Sequence, residues 1–147
     1  MDVTIRRAEL RDGAAIAACL ASLGYDTSAE LVGDKLAALT GSAADVVLVA
    51  VLPSVGIVGV VSVHVLPLFH APGNLARLTA LAVRHDHQRS GVGGALVAAA
   101  EAFAWQRQCR RVEVTSGDHR PDAHEFYESQ GYRADERRFI KHAPPAV

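Results

Sequence analysis

The stretch HDHQRSGVGGALVAAAEAFAW, residues 85–105, joins a polar run to an alanine-rich segment through three glycines, Gly91, Gly93 and Gly94. Glycine in a helix costs backbone entropy, so three glycines at a helix start indicate a close approach that a Cβ would prevent. Apolar residues then recur at the spacing of one helical face, at Val92, Leu96, Ala99 and Phe103. The pattern predicts a helix from Gly91 to about Arg107, with a binding site at its entrance.

The entrance to this helix does not match the two common nucleotide-binding loops. A P-loop places lysine and then serine or threonine after its last glycine, whereas Gly94 is followed by alanine and leucine. A dinucleotide-binding loop needs glycine or alanine where Leu96 stands, and here the run RHDHQR also separates the loop from its strand. A helix N-terminus with free N–H groups beside Arg89 still suits a diphosphate. A glycine-rich loop without a ligand is the alternative.

The composition limits the class of protein. With 147 residues, half of them apolar, the chain has the size of one domain, residues 1–147, that buries roughly 70% of its unfolded surface. Its formal net charge of −1 lacks the basic excess of a nucleic-acid-binding protein. Cys19 and Cys109 lack disulfide or zinc spacing, and His85 and His87 have no third ligand, so no metal is expected. We therefore expect a reduced, cytoplasmic protein.

One uncharged apolar run, VVLVAVLPSVGIVGVVSV at residues 46–63, is about long enough for a transmembrane helix. Its β-branched valines and its interruption by Pro53, Ser54 and Gly56 instead favour two buried strands joined by a turn. The charged N-terminal residues leave no apolar segment for a signal peptide. We expect no membrane association.

The rest of the pattern predicts an alternation of strands and helices, with Asp12 as the N-cap of the first helix. Strands are expected near 3–7, 46–52, 56–66, 75–83, 110–116 and 137–141, and helices over about 12–23, 26–41, 91–107 and 121–131. The alanine and leucine content of 75–83 leaves a helix open there.

The segment QRSGVGGAL, residues 88–96, resembles the acetyl-CoA pyrophosphate loop of the GNAT superfamily of N-acetyltransferases, whose pattern is (Q/R)xxGx(G/A). LTALAV, residues 78–83, resembles the fourth strand of that family. AHEFYESQGY, residues 123–132, is similar to the AHxFYxxxGY pattern of the last helix in many bacterial members. The resemblance implies an α/β (α+β) GNAT fold, in which helices flank a mixed, mostly antiparallel sheet in the order β-α-α-β-β-β-α-β-α-β.

The resemblance also implies which residues bind acetyl-CoA. A bulged fourth strand binds the pantetheine arm through backbone groups, which fall here on Leu81, Ala82 and Val83. The pyrophosphate is wrapped by the loop residues Gln88, Arg89, Ser90, Gly91, Val92, Gly93 and Gly94. Tyr127 matches the tyrosine that protonates the departing thiolate, and a packing role in the core is its alternative.

The implied activity is transfer of an acetyl group to a primary amine by direct attack in a ternary complex. The acceptor is a small molecule or a peptide, and a homodimer is left open. Many members carry a glutamate base on the fourth strand, but ARLTALAV has none, and Thr79 is its nearest polar residue. Alternative bases are Glu113, Asp118, His119 and His70, and Arg120 replaces an asparagine that contacts the cofactor in many members. The missing glutamate raises a second hypothesis, a catalytically silent acyl-CoA-binding regulatory domain of the same fold.

Overall fold

The computed structural model of the protein describes residues 2–115, 121–135 and 138–146. The chain divides into two compact units, Met1–Thr115 and Ser116–Val147. Among these residues, the first unit holds five strands, β1 to β5, and three α-helices, α1 to α3, and the second holds one α-helix, α4. The strands are Thr4–Arg7, Asp45–Leu52, Gly56–Pro67, Asn74–Val83 and Cys109–Val114, and the helices are Gly13–Ala21, Ala29–Leu39, Val92–Gln106 and Pro121–Ser129. The expectation of one domain over residues 1–147 stays a prediction.

The strands of the first unit form one sheet in the order β1-β2-β3-β4-β5. β1 to β4 pair antiparallel, and β5 lies parallel to β4 after the α3 crossover. β2 and β3 confirm that the long apolar run is two strands, joined by a turn in which Ser54 and Gly56 have φ of 66° and 99°. No helix among the described residues has the length and hydropathy needed to cross a membrane.

Helices cover both faces of the sheet. Because side chains alternate between the two faces along a strand, the continuous apolar residues of β2 and β3 need cover on both faces. α3 packs on the face that carries Val46, Val61, Val63 and Leu78. α1 and α2 pack on the other face, where Ile16, Cys19, Val32 and Leu36 meet Val49, Val60 and Ala82. The apolar content of β2 and β3 follows from this burial on two sides.

The start of α3 lies against β3 at Gly59. A Cβ at Gly59 would lie 2.9 Å from Cδ1 of Leu96, 3.1 Å from Cγ1 of Val92 and 3.3 Å from the carbonyl oxygen of Ala82. The absence of a side chain therefore allows the first two turns of α3 to approach the sheet closely. Because Val92 is the first residue of α3, this contact sets the position of the helix N-terminus.

β4 carries the bulge that the resemblance implied. Ser62 of β3 pairs with Ala80, whereas the next residue, Val63, pairs with Leu78. Thr79 is thus an additional residue on β4, opposite no partner of its own.

Asp12 stands before α1, as predicted, but its carboxylate does not cap that helix. It accepts 2.8 and 3.2 Å hydrogen bonds from the guanidinium of Arg6 and a 2.7 Å bond from the backbone N–H of Glu9. The N-cap role is therefore replaced by a tie between β1 and the turn before α1. The hydrogen bond from the partly exposed Arg6 is the largest cause of the lowered pKa of the buried Asp12.

The C-terminal end of α4 explains the glycine and the two tyrosines of the sequence FYESQGY, residues 126–132. Gly131 ends α4 in the left-handed region, with φ of 92°, and its N–H donates to Glu128 O over 3.0 Å. The N–H of Tyr132 donates to Tyr127 O over 3.0 Å, and the two tyrosine rings lie 6.0 Å apart. These bonds form a Schellman motif with its usual apolar contact, which accounts for the glycine and for both tyrosines.

The strand predicted near 137–141 is not formed over residues 138–141. The described residues 138–146 contain neither strand nor helix. Phe139 and Ile140 of this segment are 92% and 55% exposed. An alternating run without a neighbouring strand has no ladder to join, and Pro144 and Pro145 follow it closely. Residue 137 lies outside the described ranges.

Candidate active site

β4 has a free edge where it separates from β5. The parallel pairing of the two strands ends at Leu78 and Val114. Within the described ranges, no strand pairs with residues 79–83 on this side. We call this free edge, from Thr79 to Val83, the β4 opening.

The direction of the backbone groups at the β4 opening follows from two hydrogen bonds. The N–H of Arg84 donates to Val58 O of β3 over 2.9 Å. Backbone groups alternate sides along a strand, so those of Ala82 also face β3, whereas those of Leu81 and Val83 face the opening. The side chain of Gln88 agrees with this, because its Nε2 donates to Val83 O over 3.0 Å. Leu81 and Val83 therefore offer backbone groups to the opening, and Ala82 does not.

The glycine-rich loop has the backbone conformation of a tight anion-binding turn. Arg89 and Gly91 adopt positive φ angles of 59° and 89°, and Val92 begins α3. A left-handed residue followed by a helical one directs successive N–H groups to one concave side. The hydroxyl of Ser90 donates to His87 O and holds the preceding turn. Residues 88–91 are all exposed, so the concave side is open to a ligand.

The first N–H groups of α3 have no partner within the helix. The first helical bond runs from Ala95 to Gly91 O over 3.1 Å. The N–H groups of Val92, Gly93 and Gly94 therefore precede the helical ladder, and Gly91 has no side chain with which to cap them. Such a helix end, with its partial positive charge, is a favourable position for an anionic group such as a phosphate.

A row of polar side chains crosses four strands on the face of the sheet that α1 and α2 share. Its members, hereafter the polar row, stand opposite one another in register: Asp45, His64, Arg77 and Glu113. The side chains of Asp45 and His64 are each 25% exposed, so solvent reaches the row.

His64 links the polar row to the β4 bulge. Its Nδ1 lies 2.7 Å from Oδ1 of Asp45, and its Nε2 lies 2.8 Å from the hydroxyl of Thr79. The Thr79 hydroxyl is also 2.6 Å from that of Ser62. The second oxygen of Asp45 accepts a 2.7 Å bond from Ser42. A continuous hydrogen-bonded chain thus runs from a carboxylate to the exposed Thr79.

Glu113, considered above as a base, is held as a carboxylate by two arginines. It accepts hydrogen bonds of 2.7 Å from Arg77 and 2.6 Å from Arg111. These partners, Arg77 first, lower the pKa of Glu113, which makes it a weak proton acceptor. His70 is exposed in the turn between β3 and β4. Asp118, His119 and Arg120 lie outside the described residues.

Tyr127 stands on α4 in the second unit and is half-buried. Its ring meets that of Phe126 edge to face at 5.3 Å. The packing role weighed for this tyrosine therefore has a structural basis, and its role as an acid stays a prediction.

The two thiols are unsuited to act as nucleophiles. Cys19 is fully buried, and this burial raises its pKa to about 11. Cys109 is also buried, and desolvation raises its pKa. Both therefore remain thiols near neutral pH, whereas the thiolate is the reactive form.

Metal-binding side chains do not cluster in the described part of the chain. No group of three histidine, cysteine, aspartate or glutamate residues is placed to hold an ion there. His85 and His87 belong to a short 3-10 turn, and the Nε2 of His87 lies 3.6 Å from Asp86.

His64 and Asp45 were missed by the sequence interpretation. A signal was present, because Ser62 and His64 are two polar residues at alternate positions of an otherwise apolar strand. That spacing places both on one face. Their partners Asp45 and Thr79 lie 19 and 15 positions from His64, and only the strand register brings them together.

The chain belongs to the GNAT family of acetyltransferases. The model of the family described as "Acetyltransferase (GNAT) family" matches residues 11–132, most of the chain. The mixed five-stranded sheet with four helices is accordingly the GNAT fold that the sequence predicted. Among curated proteins, no match is found.

Solved structures share this fold at low sequence identity. A transcriptional regulator from Bacillus halodurans C-125 is 23% identical, with a TM-score of 0.82 over 97% of this chain and 100% of its own. An aminoglycoside acetyltransferase from an uncultured soil metagenomic sample, meta-AAC0020, in complex with sisomicin, is 22% identical, with a TM-score of 0.75 over 98% and 97%. Glucosamine-6-phosphate N-acetyltransferase from Arabidopsis thaliana is 17% identical, with a TM-score of 0.81 over 97% and 99%.

Proposed function

We propose that this protein transfers the acetyl group of acetyl-CoA to a primary amine by direct attack within a ternary complex. The observation that carries the proposal is the β4 opening, a free strand edge that follows the bulge and leads through Gln88 to the N-terminus of α3. The chain between Thr79 and Gly94 thus offers backbone groups for both the arm and the diphosphate of one extended cofactor.

Two parts of the site bind the cofactor. The N–H groups of Val92, Gly93 and Gly94 hold the diphosphate, and the left-handed Gly91 and Arg89 shape the loop around it. The backbone of Leu81 and Val83 pairs with the amide groups of the pantetheine arm as a neighbouring strand would. Acetyl-CoA supplies the activated thioester.

The N–H of Leu81 also suits the reacting carbonyl. As the amine attacks, negative charge develops on the thioester oxygen, and a fixed backbone donor stabilises it. Direct attack is supported by the burial of Cys19 and Cys109, whose raised pKa values disfavour an acyl-cysteine intermediate. Tyr127 is the proposed proton donor to the leaving thiolate.

The acceptor is proposed to be a small-molecule amine, and a peptide amine is the second candidate. Two structures of the same fold are named for amine substrates, an aminoglycoside and an amino-sugar phosphate. At these identities they support the fold, so the acceptor is a question for experiment.

The test has two stages. In the first, acetyl-CoA is expected to raise the unfolding temperature, with a stabilisation of about 2.7 kcal/mol at a hundredfold excess over Kd. ATP and NAD, which carry phosphates without the pantetheine arm, serve as controls. In the second stage, release of free thiol from acetyl-CoA is followed with aminoglycosides, amino sugars, polyamines and peptides with free N-termini.

The outcomes separate the hypotheses. Stabilisation by acetyl-CoA with thiol release on one amine class supports the proposal. Stabilisation without release on any amine favours the silent regulatory domain. Equal stabilisation by ATP or NAD, or no stabilisation at millimolar acetyl-CoA, contradicts a coenzyme A site.

A further inference from the structure

We infer that Asp45, His64 and Thr79 accept the proton that the amine loses, in place of the glutamate that β4 lacks. The inference rests on the proposed amine transfer and adds a base to it. Its basis is the hydrogen-bonded chain between the polar row and the bulge.

In the neutral ring, the direction of the hydrogen bonds in this chain follows from the Asp45 end. Asp45 is a carboxylate whose pKa is lowered by its bonds from Ser42 and then His64, so it can only accept. The ring therefore carries its proton on Nδ1, and Nε2 has a free lone pair that accepts the Thr79 hydroxyl proton. Thr79 in turn accepts from Ser62. The neutral ring is thus arranged to receive a proton through Thr79.

The position of Thr79 suits the incoming amine. It is the bulged residue at the point where β4 leaves β5, and it is exposed. Leu81, whose N–H faces the reacting carbonyl in the proposed complex, lies two residues further, about 7 Å along the strand. One water molecule, or the amine itself, spans that separation.

The proton that the amine loses and the proton that the thiolate gains each have a side chain that transfers it. The amine nitrogen forms a bond to the acetyl carbon as the carbon–sulfur bond breaks, and the electron pair leaves with sulfur. The proton of the amine passes to the Thr79 hydroxyl, which gives its own proton to Nε2 of His64. Asp45 stabilises the resulting imidazolium, and Tyr127 protonates the thiolate. The ring then returns its proton to solvent, and the Tyr127 phenolate regains one from solvent, so that both groups return to their starting states.

The other charged side chains near His64 on β4 and β5 are two arginines that share one carboxylate. From β4, Arg77 stands opposite His64 and bonds Glu113 over 2.7 Å. From β5, Arg111 bonds the other oxygen of Glu113 over 2.6 Å. Two arginines and one carboxylate leave one positive charge at the far end of the row, whereas Asp45 is in direct contact with the ring.

The first experiment measures kcat and the Kd of acetyl-CoA, with the best amine from the panel, for a matched pair of variants. Thr79→Val removes the hydroxyl and keeps the shape, whereas Thr79→Ser keeps the hydroxyl. We expect kcat to fall by ~10²-fold or more in Thr79→Val and to stay within about threefold in Thr79→Ser, with Kd unchanged in both. Because Thr79 is exposed, both variants are expected to fold.

The second experiment tests the ring and its orienting carboxylate. In His64→Gln, kcat is expected to fall by ~10²-fold or more while the Kd of acetyl-CoA stays unchanged. Asp45→Asn is a positioning variant and should lose about tenfold or more in kcat. His142→Gln, at an exposed histidine of the C-terminal segment, is the control and should keep the wild-type kcat and Kd.

A third measurement requires no acceptor. Nitrogen-15 NMR of the free protein is expected to find neutral His64 with its proton on Nδ1, and finding it on Nε2 overturns the inference. Full activity in Thr79→Val and His64→Gln, measured while the wild type transfers acetyl groups, also overturns the inference. An acetyl group found covalently on Thr79 replaces the relay by a nucleophile and also overturns it. A wild type that releases no thiol with any amine instead rejects the proposed function, and the base with it.

Discussion

Tyr127 has a packing role in the structure and a proposed role as an acid, and only the proposed role needs its hydroxyl group. Its ring closes the Schellman motif against Tyr132, and packing of this kind does not need the hydroxyl. Protonation of the thiolate needs the hydroxyl alone. The residue is therefore suited to a substitution that keeps the ring.

Tyr127→Phe is expected to keep the fold and the affinity for acetyl-CoA while kcat falls. A positioned acid contributes ~10²- to 10⁴-fold, which corresponds to about 2.7 to 5.4 kcal/mol of transition-state stabilisation. The measurement is steady-state kcat beside a direct titration of acetyl-CoA. A fall of less than about threefold would assign the side chain to packing, and equal losses of rate and affinity would make it a cofactor-positioning residue.

Single residues were predictable where a local pattern defines them. Gln88 and Gly91 could be proposed as site residues because the loop motif is contiguous in sequence, and in the structure Gly91 has a positive φ of 89°. His64 was not found, because its significance lies in contacts with Asp45 and Thr79 across three strands. A single sequence holds the spacing of residues along one strand but not the register between strands.

The contact between α3 and β3 is expected to couple the stability of α3 to the proposed cofactor binding. The space at Gly59 is bounded by Val92, a stiff β-branched side chain at the first position of α3, and by Leu96, which is fully buried. A methyl group added at Gly59 would therefore have to displace Val92 or Leu96. The helix N-terminus is consequently sensitive to a single methyl group.

Gly59→Ala is expected to lower the free energy of unfolding by about 1 to 3 kcal/mol and to weaken acetyl-CoA binding, because α3 must shift away from β3. Gly33→Ala is the matched control. A Cβ at Gly33, within α2, meets nothing within 4 Å, so that variant should be neutral or gain up to about 1 kcal/mol. Urea unfolding and a cofactor titration measure the two effects. Unchanged affinity in a destabilised Gly59→Ala variant would separate the helix position from the binding site.

Most elements were predictable from periodicity, glycine and proline. The two strands of the apolar run were placed to within one residue, because turn residues interrupt a valine-rich pattern. β4 was harder to assign, since its alanines and leucines are also good helix formers and its bulge breaks the alternation. The strand expected near 137–141 failed over 138–141 because alternation alone does not supply a neighbouring strand.

At the scale of the molecule, the prediction of a GNAT fold is confirmed, and the prediction of one domain over residues 1–147 stays a prediction beside the two compact units that the contacts define. Fold class follows from the order of elements along the chain. The separation of residues 116–147 depends on tertiary contacts, for which composition and periodicity hold no signal.

Within the first unit, the pair of Asp12 and Arg6 connects the sheet to the segment that leads into α1. Asp12 is 6% exposed and is a buried charged residue of the described chain. Its lowered pKa means that the folded state stabilises the carboxylate, so this stabilisation is complete above the unfolded value, 3.8, and is lost as the pH falls through the lower folded value.

Asp12→Asn is expected to lower the free energy of unfolding by about 1 to 3 kcal/mol at pH 7, because the neutral amide forms no ion pair with the Arg6 guanidinium and accepts through one oxygen only. The difference from the wild type should shrink below pH 3.8, where the unfolded carboxylate is itself protonated. Urea unfolding at pH 7 and at about pH 3 measures it. Asp34→Asn, at an exposed position of α2, should change stability by less than about 0.5 kcal/mol. A difference that does not vary with pH would contradict the charged pair as its source.

The extra residue at Thr79 reverses which side chains of β4 face each side of the sheet. Before it, odd-numbered residues such as Arg77 share the face of the polar row, and after it, even-numbered Ala82 faces that side. If a relative carries its extra residue elsewhere on this strand, a gap-free alignment through position 79 therefore matches residues that lie on opposite faces of the sheet. Counting a fixed number of positions back from the glycine loop in search of an equivalent carboxylate then reaches the wrong face. Equivalence along this strand is set by pairing with β3, and the numbering shifts by one at Thr79.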